Sequence, residues 1–566
     1  MLKLESPAAE LGVRPTSRFV ANGSTLTVPS YSFESRRLMI SLDRLTGPLT
    51  RVCLALSLFR FAPTKAKAQE PQWPAGAAVY LRQNTAALRS ISPTDEDFTD
   101  LLPLARAIGS ARVVQLGESS HGAGEQFEAK ARLIRFLHDR LGFDVLVWES
   151  GLFDCRVANG ALHSGMDPTG AANLGVFTIW SAAREVRPLL EYIQATMNTA
   201  RPLEIAGFDM QFSSFGSPTR LRNALNAFGR LVPDDSVRER IISLAEHAMQ
   251  SYDALAMQSS RPGLRPANLV EFLAAVDTLG RFIQSERARL ERVHGTREVD
   301  FFLHVIDDLR EFGRTQYERN AAETPRTGPE AATLQNLQWN RRDTQNATNL
   351  LWLVREYYAG RKIIVWAHSG HVMNAYYSAD WMRLSNEPQP GGMRPTGAVV
   401  ADSLGADVYT ITMTSYSGAH QTVIARTPEQ VPPAPVGSLE NWLHRAGYAY
   451  AFLNLRPLRG SASDSLLRGM SIRLRGSMSE ILPHWPVVVD GVLFIDTARP
   501  ATRWIARPSM GPVIPSLHSR ETATRIAASP TCGLTIVAAD ERVSVVGLNA
   551  LRVSRLRRFT SVAQLC

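Results

Sequence analysis

Residues 113–122 read Val-Val-Gln-Leu-Gly-Glu-Ser-Ser-His-Gly. A β-branched, apolar run that breaks into Gly-Glu-Ser-Ser-His reads as a buried strand leading into a turn, and the periodicity that follows, from about Gly124 to Leu141, is helical. The same arrangement recurs along the chain. Val145-Leu-Val-Trp148 ends in Glu149, Leu203-Glu-Ile-Ala206 in Gly207-Phe-Asp209, and Lys362-Ile-Ile-Val365 in Trp366-Ala-His368-Ser-Gly-His371. Helical patterns from about Trp180 to Met197 and from Asp343 to Ala359 fall between these runs. Strands alternating with helices predict an α/β fold: a mostly parallel sheet flanked by helices. From about Pro218 to Arg319 the pattern is almost wholly helical, with apolar positions three and four apart as in Leu279, Phe282 and Ile283. This predicts a large helical insertion, about 218–335, beside the active-site cleft. Val408-Tyr-Thr-Ile411, Val487-Val-Val-Asp490 and Leu493-Phe-Ile495 are expected to complete the sheet.

The charge distribution excludes one class of partner. The formal net charge of the 566 residues is +9, but residues 1–68 carry +6 of it and residues 506–566 carry +5, which leaves −2 for residues 69–505. A near-neutral body gives no support to nucleic-acid binding. The first 68 residues read as a leader: the short apolar run Val52–Phe59 follows Arg44 and Arg51 and precedes Ala66-Lys-Ala68, the order of a signal peptide. Met39 makes a more typical start for it than Met1. The run is far shorter than the roughly 20 residues a membrane span needs, so an exported protein, periplasmic or secreted, without stable membrane insertion is expected. Residues 69–505 form the expected catalytic domain, and the basic tail 506–566 reads as a solvated extension. Four cysteines, Cys53, Cys155, Cys532 and Cys566, offer neither a disulfide framework nor a C-x-x-C site.

In an open α/β sheet the carboxyl ends of parallel strands line one crevice, where ligands bind. Here those ends deliver Glu118, His121, Glu149, Asp209, His368 and His371. Singly, each has an ordinary structural role: a helix cap for Glu118, a structural arginine's partner for Glu149, a turn for Asp209, a core histidine for His368 or His371. Together they suit catalysis, because a histidine beside a carboxylate is the usual general base. No G-x-S-x-G elbow exists, and Cys155 reads as core, so water is the natural nucleophile, activated by His121. Lys130 and Arg342 are candidate substrate contacts and oxyanion stabilisers, with Asp209 beside them. No cofactor is expected. Two histidines and two glutamates would also serve as zinc or manganese ligands, so a metal-dependent hydrolase is the alternative, and a non-enzymatic exported binding protein is a third reading.

The ordered set Gly117-Glu-Ser-Ser-His-Gly122 with Glu125 and Lys130, then Glu149, Gly207-Phe-Asp-Met-Gln211, Arg342-Asp343 with Ala347 and Asn349, and Trp366-Ala-His-Ser-Gly-His371 resembles the erythromycin esterase family from about residue 96 to 505. The resemblance implies a metal-independent hydrolase that opens macrolactones. It assigns His121 as general base and Glu118, Glu149, His368 and His371 as the rest of the catalytic cluster. Lys130 stands where these esterases tend to carry arginine, Ser369 replaces the asparagine usual between the two histidines, and Asn346 stands where methionine is frequent. The implied partner is a small ester or lactone.

Overall fold

The computed structural model describes residues 76–504 apart from 258–265, 321–328, 379–383, 386, 460–463 and 482–484, together with short strands in the two tails. The signal-peptide run, the alternative start and most of the basic tail lie outside the described residues.

Nine strands build the central sheet: β1 (Thr85–Ala87), β2 (Val113–Glu118), β3 (Val145–Gly151), β4 (Glu204–Asp209), β5 (Ile363–His368), β6 (Val408–His420), β7 (Glu429–Val431), β8 (Tyr450–Asn454) and β9 (Gly491–Ala498). Their lateral order is β1-β8-β9-β6-β2-β5-β3-β4, with β7 paired to β6. The six strands from β9 to β4 are parallel, and β1, β7 and β8 are antiparallel additions at the margins. Every residue of β2 and β3 is buried, as expected of parallel strands covered on both faces, and this is why their sequences read as continuous apolar runs.

One face packs under α1 (Gly124–Leu141) and α3 (Arg187–Thr196), where Leu116, Phe127, Trp148, Trp180 and Trp366 share a core. The other carries Val113, Val145, Val147 and Phe208 against the insertion helices α4 (Ser217–Arg230), α5 (Asp235–Met257), α6 (Pro266–Ser285), α7 (Arg287–His294) and α8 (Thr296–Asn320). Helix α2 (Leu152–His163) follows β3, and α9 (Pro329–Trp352) leads back toward the sheet.

The α/β architecture and the helical insertion match expectation, and α1 has the predicted bounds, stopped at Gly142, whose φ of 74° supplies the left-handed cap. Three elements differ. The helix expected over 180–197 is split into Thr178–Ser181 and α3, with Pro188 in the first turn of the second piece. Helix α9 begins at Pro329 and ends at Trp352 in a π turn, Leu353–Tyr357, earlier at both ends than the expected 343–359. Val487-Val-Val-Asp490 is not a strand: Trp485–Val488 is a helical turn, and the strand begins at Gly491. An apolar run that short does not distinguish the two by periodicity.

Candidate active site

The pairing of β2 with β5 sets Glu118 opposite His368, and that of β5 with β3 sets Trp366 opposite Trp148, one residue before Glu149. Three strand ends thus present their polar residues side by side. The β3–β4 register shifts between Trp148 and Gly151, and β4 lies so close there that a Cβ on Gly207 would sit 2.3 Å from the Ser150 carbonyl. Only glycine fits. Beyond β2 the chain turns through Ser119–Gly122, and this turn is tightly held. The Gly122 carbonyl accepts from Gln421 N and Ala501 N, each at 2.9 Å, and a Cβ at Gly122 would meet the Gln421 backbone at 2.5 Å.

His121 stands on this turn. Its Nδ1 lies 3.1 Å from Glu118 Oε1, and its side chain is 34% exposed whereas that of Glu118 is wholly buried. Among the described residues its Nε2 has no hydrogen-bond partner. Glu118 accepts two further donors: the Lys130 ammonium on Oε2 and the Trp180 indole N–H on Oε1 at 3.2 Å. Lys130 also donates to the Ala367 carbonyl at 3.0 Å and sits over the Trp366 ring. Burial disfavours the Glu118 carboxylate, but Lys130, His121 and His368 together outweigh it and hold the pKa below the ordinary value, while burial pulls Lys130 down to about 8.

Glu149 anchors the second half. Its Oε2 accepts from His368 N at 2.8 Å, and its Oε1 accepts from Arg342 Nη2 at 2.8 Å and lies 3.3 Å from His371 Nε2. Arg342, on α9, also grips both oxygens of Asp209. Burial opposes ionisation of Glu149, but His371 and Arg342 hold its pKa well below the usual carboxylate range. His371 Nδ1 meets Asp343 Oδ1 at 2.7 Å, and Thr396 Oγ1 donates to the same oxygen. Burial lowers the His371 pKa, but Asp343 and Glu149 prevail and raise it above its usual value. Its Nε2 also lies 3.1 Å from Arg342 Nη1. His368 is the opposite case. Its Nε2 donates to the Ser119 carbonyl at 3.1 Å, its Nδ1 accepts from Gly370 N at 3.0 Å, and burial together with the neighbouring His121 lowers its pKa to about 3. His368 is neutral and ties β5 to the turn that carries His121.

All eight residues singled out from the sequence therefore meet at one sheet edge. Lys130 and Asp209 are fully buried and paired, so they hold their neighbours rather than reach into the cleft. Two members escaped the sequence reading, Trp180 and Trp339, which stacks on His371 at 4.7 Å with planes 8° apart, while Asp343 stood beside Arg342 in the sequence set without a role of its own. Cys155 is buried and burial drives its thiol pKa well up, as befits core. Among the described residues no group of three or more His, Cys, Asp or Glu side chains is arranged to hold a metal ion, and the Glu118 and Glu149 carboxylates already carry the buried cations Lys130 and Arg342. No described helix is long and apolar enough to cross a membrane.

Glu125, at the start of α1, is buried, accepts from Arg499 N at 2.6 Å and lies 3.3 Å from Ser415 Oγ. Burial raises its pKa from 4.5 to about 8. The folded state therefore retains a proton that the unfolded chain releases, and Glu125 erodes stability as pH rises from about 4.5 to about 8. In Glu125→Gln this loss is absent. Urea midpoints at pH 5 and pH 8 should fall further in the parent than in the variant; equal falls would mean that Glu125 ionises normally.

A partly exposed imidazole on a buried carboxylate, at the carboxyl edge of a parallel sheet, gives the chain the architecture of an α/β enzyme. A family model described as erythromycin esterase matches residues 138–496, and the chain belongs to the erythromycin esterase family. It is 26% identical over 473 residues to the Bacillus subtilis (strain 168) protein YbfO, whose name provisionally classes it as a hydrolase; the match covers 81% of this chain and 98% of YbfO. It is 23% identical over 341 residues, 57% of this chain and 74% of the relative, to erythromycin esterase type II of Escherichia coli. A mutant of the erythromycin esterase EreC, solved in its open conformation, superposes with a TM-score of 0.51 at 16% identity, over 74% of this chain and 98% of EreC. That likeness is one of fold, and family and relatives together make the chain a hydrolase.

Proposed function

We propose that this hydrolase cleaves a carboxylic ester or a macrolactone with a water molecule activated by His121. One observation carries the reading: His121 has one nitrogen on the buried Glu118 carboxylate and, among the described residues, no hydrogen-bond partner on the other, in a side chain that is 34% exposed. Nδ1–H donates to Glu118, which leaves Nε2 as the basic atom and favours its protonated form. Nε2 takes a proton from water as the oxygen attacks the carbonyl carbon. The candidate donor to the resulting oxyanion is the Arg342 guanidinium, whose side chain is 16% exposed. When the tetrahedral species collapses, the imidazolium returns its proton to the departing alkoxide, and acid and alcohol are released. Lys130 and Asp209 act through Glu118 and Arg342, in place of direct contact with substrate. Export of the chain belongs to the same proposal and rests on the leader alone.

The test is mass spectrometry of macrolactones and aryl esters incubated with the purified protein, with and without EDTA. A gain of one water that persists in EDTA supports the reading. Turnover abolished by EDTA and restored by a divalent metal favours the metal-dependent alternative. Unchanged ligands that nonetheless bind favour a binding protein.

A further inference from the structure

Trp180 is wholly buried, on the short helix Thr178–Ser181, among Trp148, Trp366 and Phe177. An indole in such surroundings is ordinarily core, but its N–H points out of the cluster. Nε1 donates to Glu118 Oε1 at 3.2 Å, the same oxygen that His121 Nδ1 meets at 3.1 Å. The indole also stands edge-on to the His121 ring, at 5.2 Å and 81°. Two donors thus share one oxygen of a carboxylate whose other oxygen is held by Lys130.

We infer that Trp180 is a positioning residue that sets the basicity of His121. The reasoning is electrostatic. A hydrogen bond donated to a carboxylate oxygen stabilises its negative charge and reduces what the oxygen offers a second donor. The indole therefore tempers the pull of Glu118 on the imidazolium, and it pins Oε1 in line with Nδ1. Lys130 acts on the same delocalised charge from the far oxygen, whereas the indole meets the oxygen that faces Nδ1. Without the indole, the undiminished charge of Oε1 would act on the imidazole.

This inference rests on the proposed role of His121 for its meaning in catalysis, but its test does not. The unprotonated imidazole reacts with diethyl pyrocarbonate, and peptide mass spectrometry reads the rate at His121 as a function of pH. In Trp180→Phe, which keeps a buried ring and removes the N–H, the His121 pKa should rise by roughly half a unit to one unit. Replacing Trp180 by 3-benzothienylalanine, which keeps the bicyclic shape and lacks only the N–H, should give the same rise even if phenylalanine packs poorly. An unchanged His121 pKa in the benzothienyl protein, or a lowered one, would overturn the inference and leave Trp180 as core alone. With an ester substrate in hand, the acid limb of kcat/KM should move by the same amount. A limb that stays while the imidazole pKa moves would count against His121 as the base and leave the contact standing.

Discussion

His121→Asn should lower ester or lactone hydrolysis by about a thousandfold or more, in the upper part of the 10²–10⁴ that general-base catalysis contributes. Asparagine still reaches toward Glu118 and fits the turn but cannot take a proton from water near neutral pH. The fold should survive, because the His121 side chain is 34% exposed and its loop is fixed through the Gly122 backbone rather than the imidazole. Steady-state rates across pH 6–9, with circular dichroism as the control for folding, check this. Activity within tenfold of the parent would show that another group activates the water, and Glu149 would be examined next.

The largest loss of stability should follow Arg342→Leu. The guanidinium is the common cation of Asp209 and Glu149, whose side chains are 0% and 3% exposed. Removing it leaves two charges in a site with little water, and breaking buried pairs of this kind costs about 3–5 kcal/mol. The unfolding midpoint in urea should fall accordingly, and activity should go with it, since Glu149 also caps His368 N. The companion variant Asp209→Asn decides the cause. In the double variant Asp209→Asn/Arg342→Leu part of the loss should be recovered, because one stranded charge has been removed. If the two losses simply add, the arginine matters for its packing and the ion pair does not.

The sequence made the sheet readable because parallel strands buried on both faces leave unbroken apolar runs, and the site readable because each run stops at a residue no core would hold. Lateral order was out of reach. Strand β5 follows β2, β3 and β4 in the chain yet lies between β2 and β3, and this insertion is what sets His368 against Glu118. Neighbouring strands leave no mark in a local pattern. Nor does burial distinguish a lysine that faces substrate from one that, like Lys130, lies at 0% exposure against a glutamate. Trp180 was hidden for the same reason: an indole in an apolar stretch carries no sign that its N–H has a partner 62 residues away. Asp343 had a faint signal, since it follows Arg342 directly on a helix that reaches the cleft.

The double grip on the Gly122 carbonyl has a consequence for the making of the protein. A ribosome releases Glu118 and His121 early, and the last of the clustered histidines, His371, well before the segment that carries Gln421 and Ala501. A growing chain can thus hold every side chain of the cluster while the turn beneath His121 still lacks both of its backbone donors. The turn that carries His121 is held by nearly the last of residues 76–504 to be synthesised. A chain cut between His371 and Ala501 therefore carries every side chain of the cluster without the full pair of backbone donors that hold the turn.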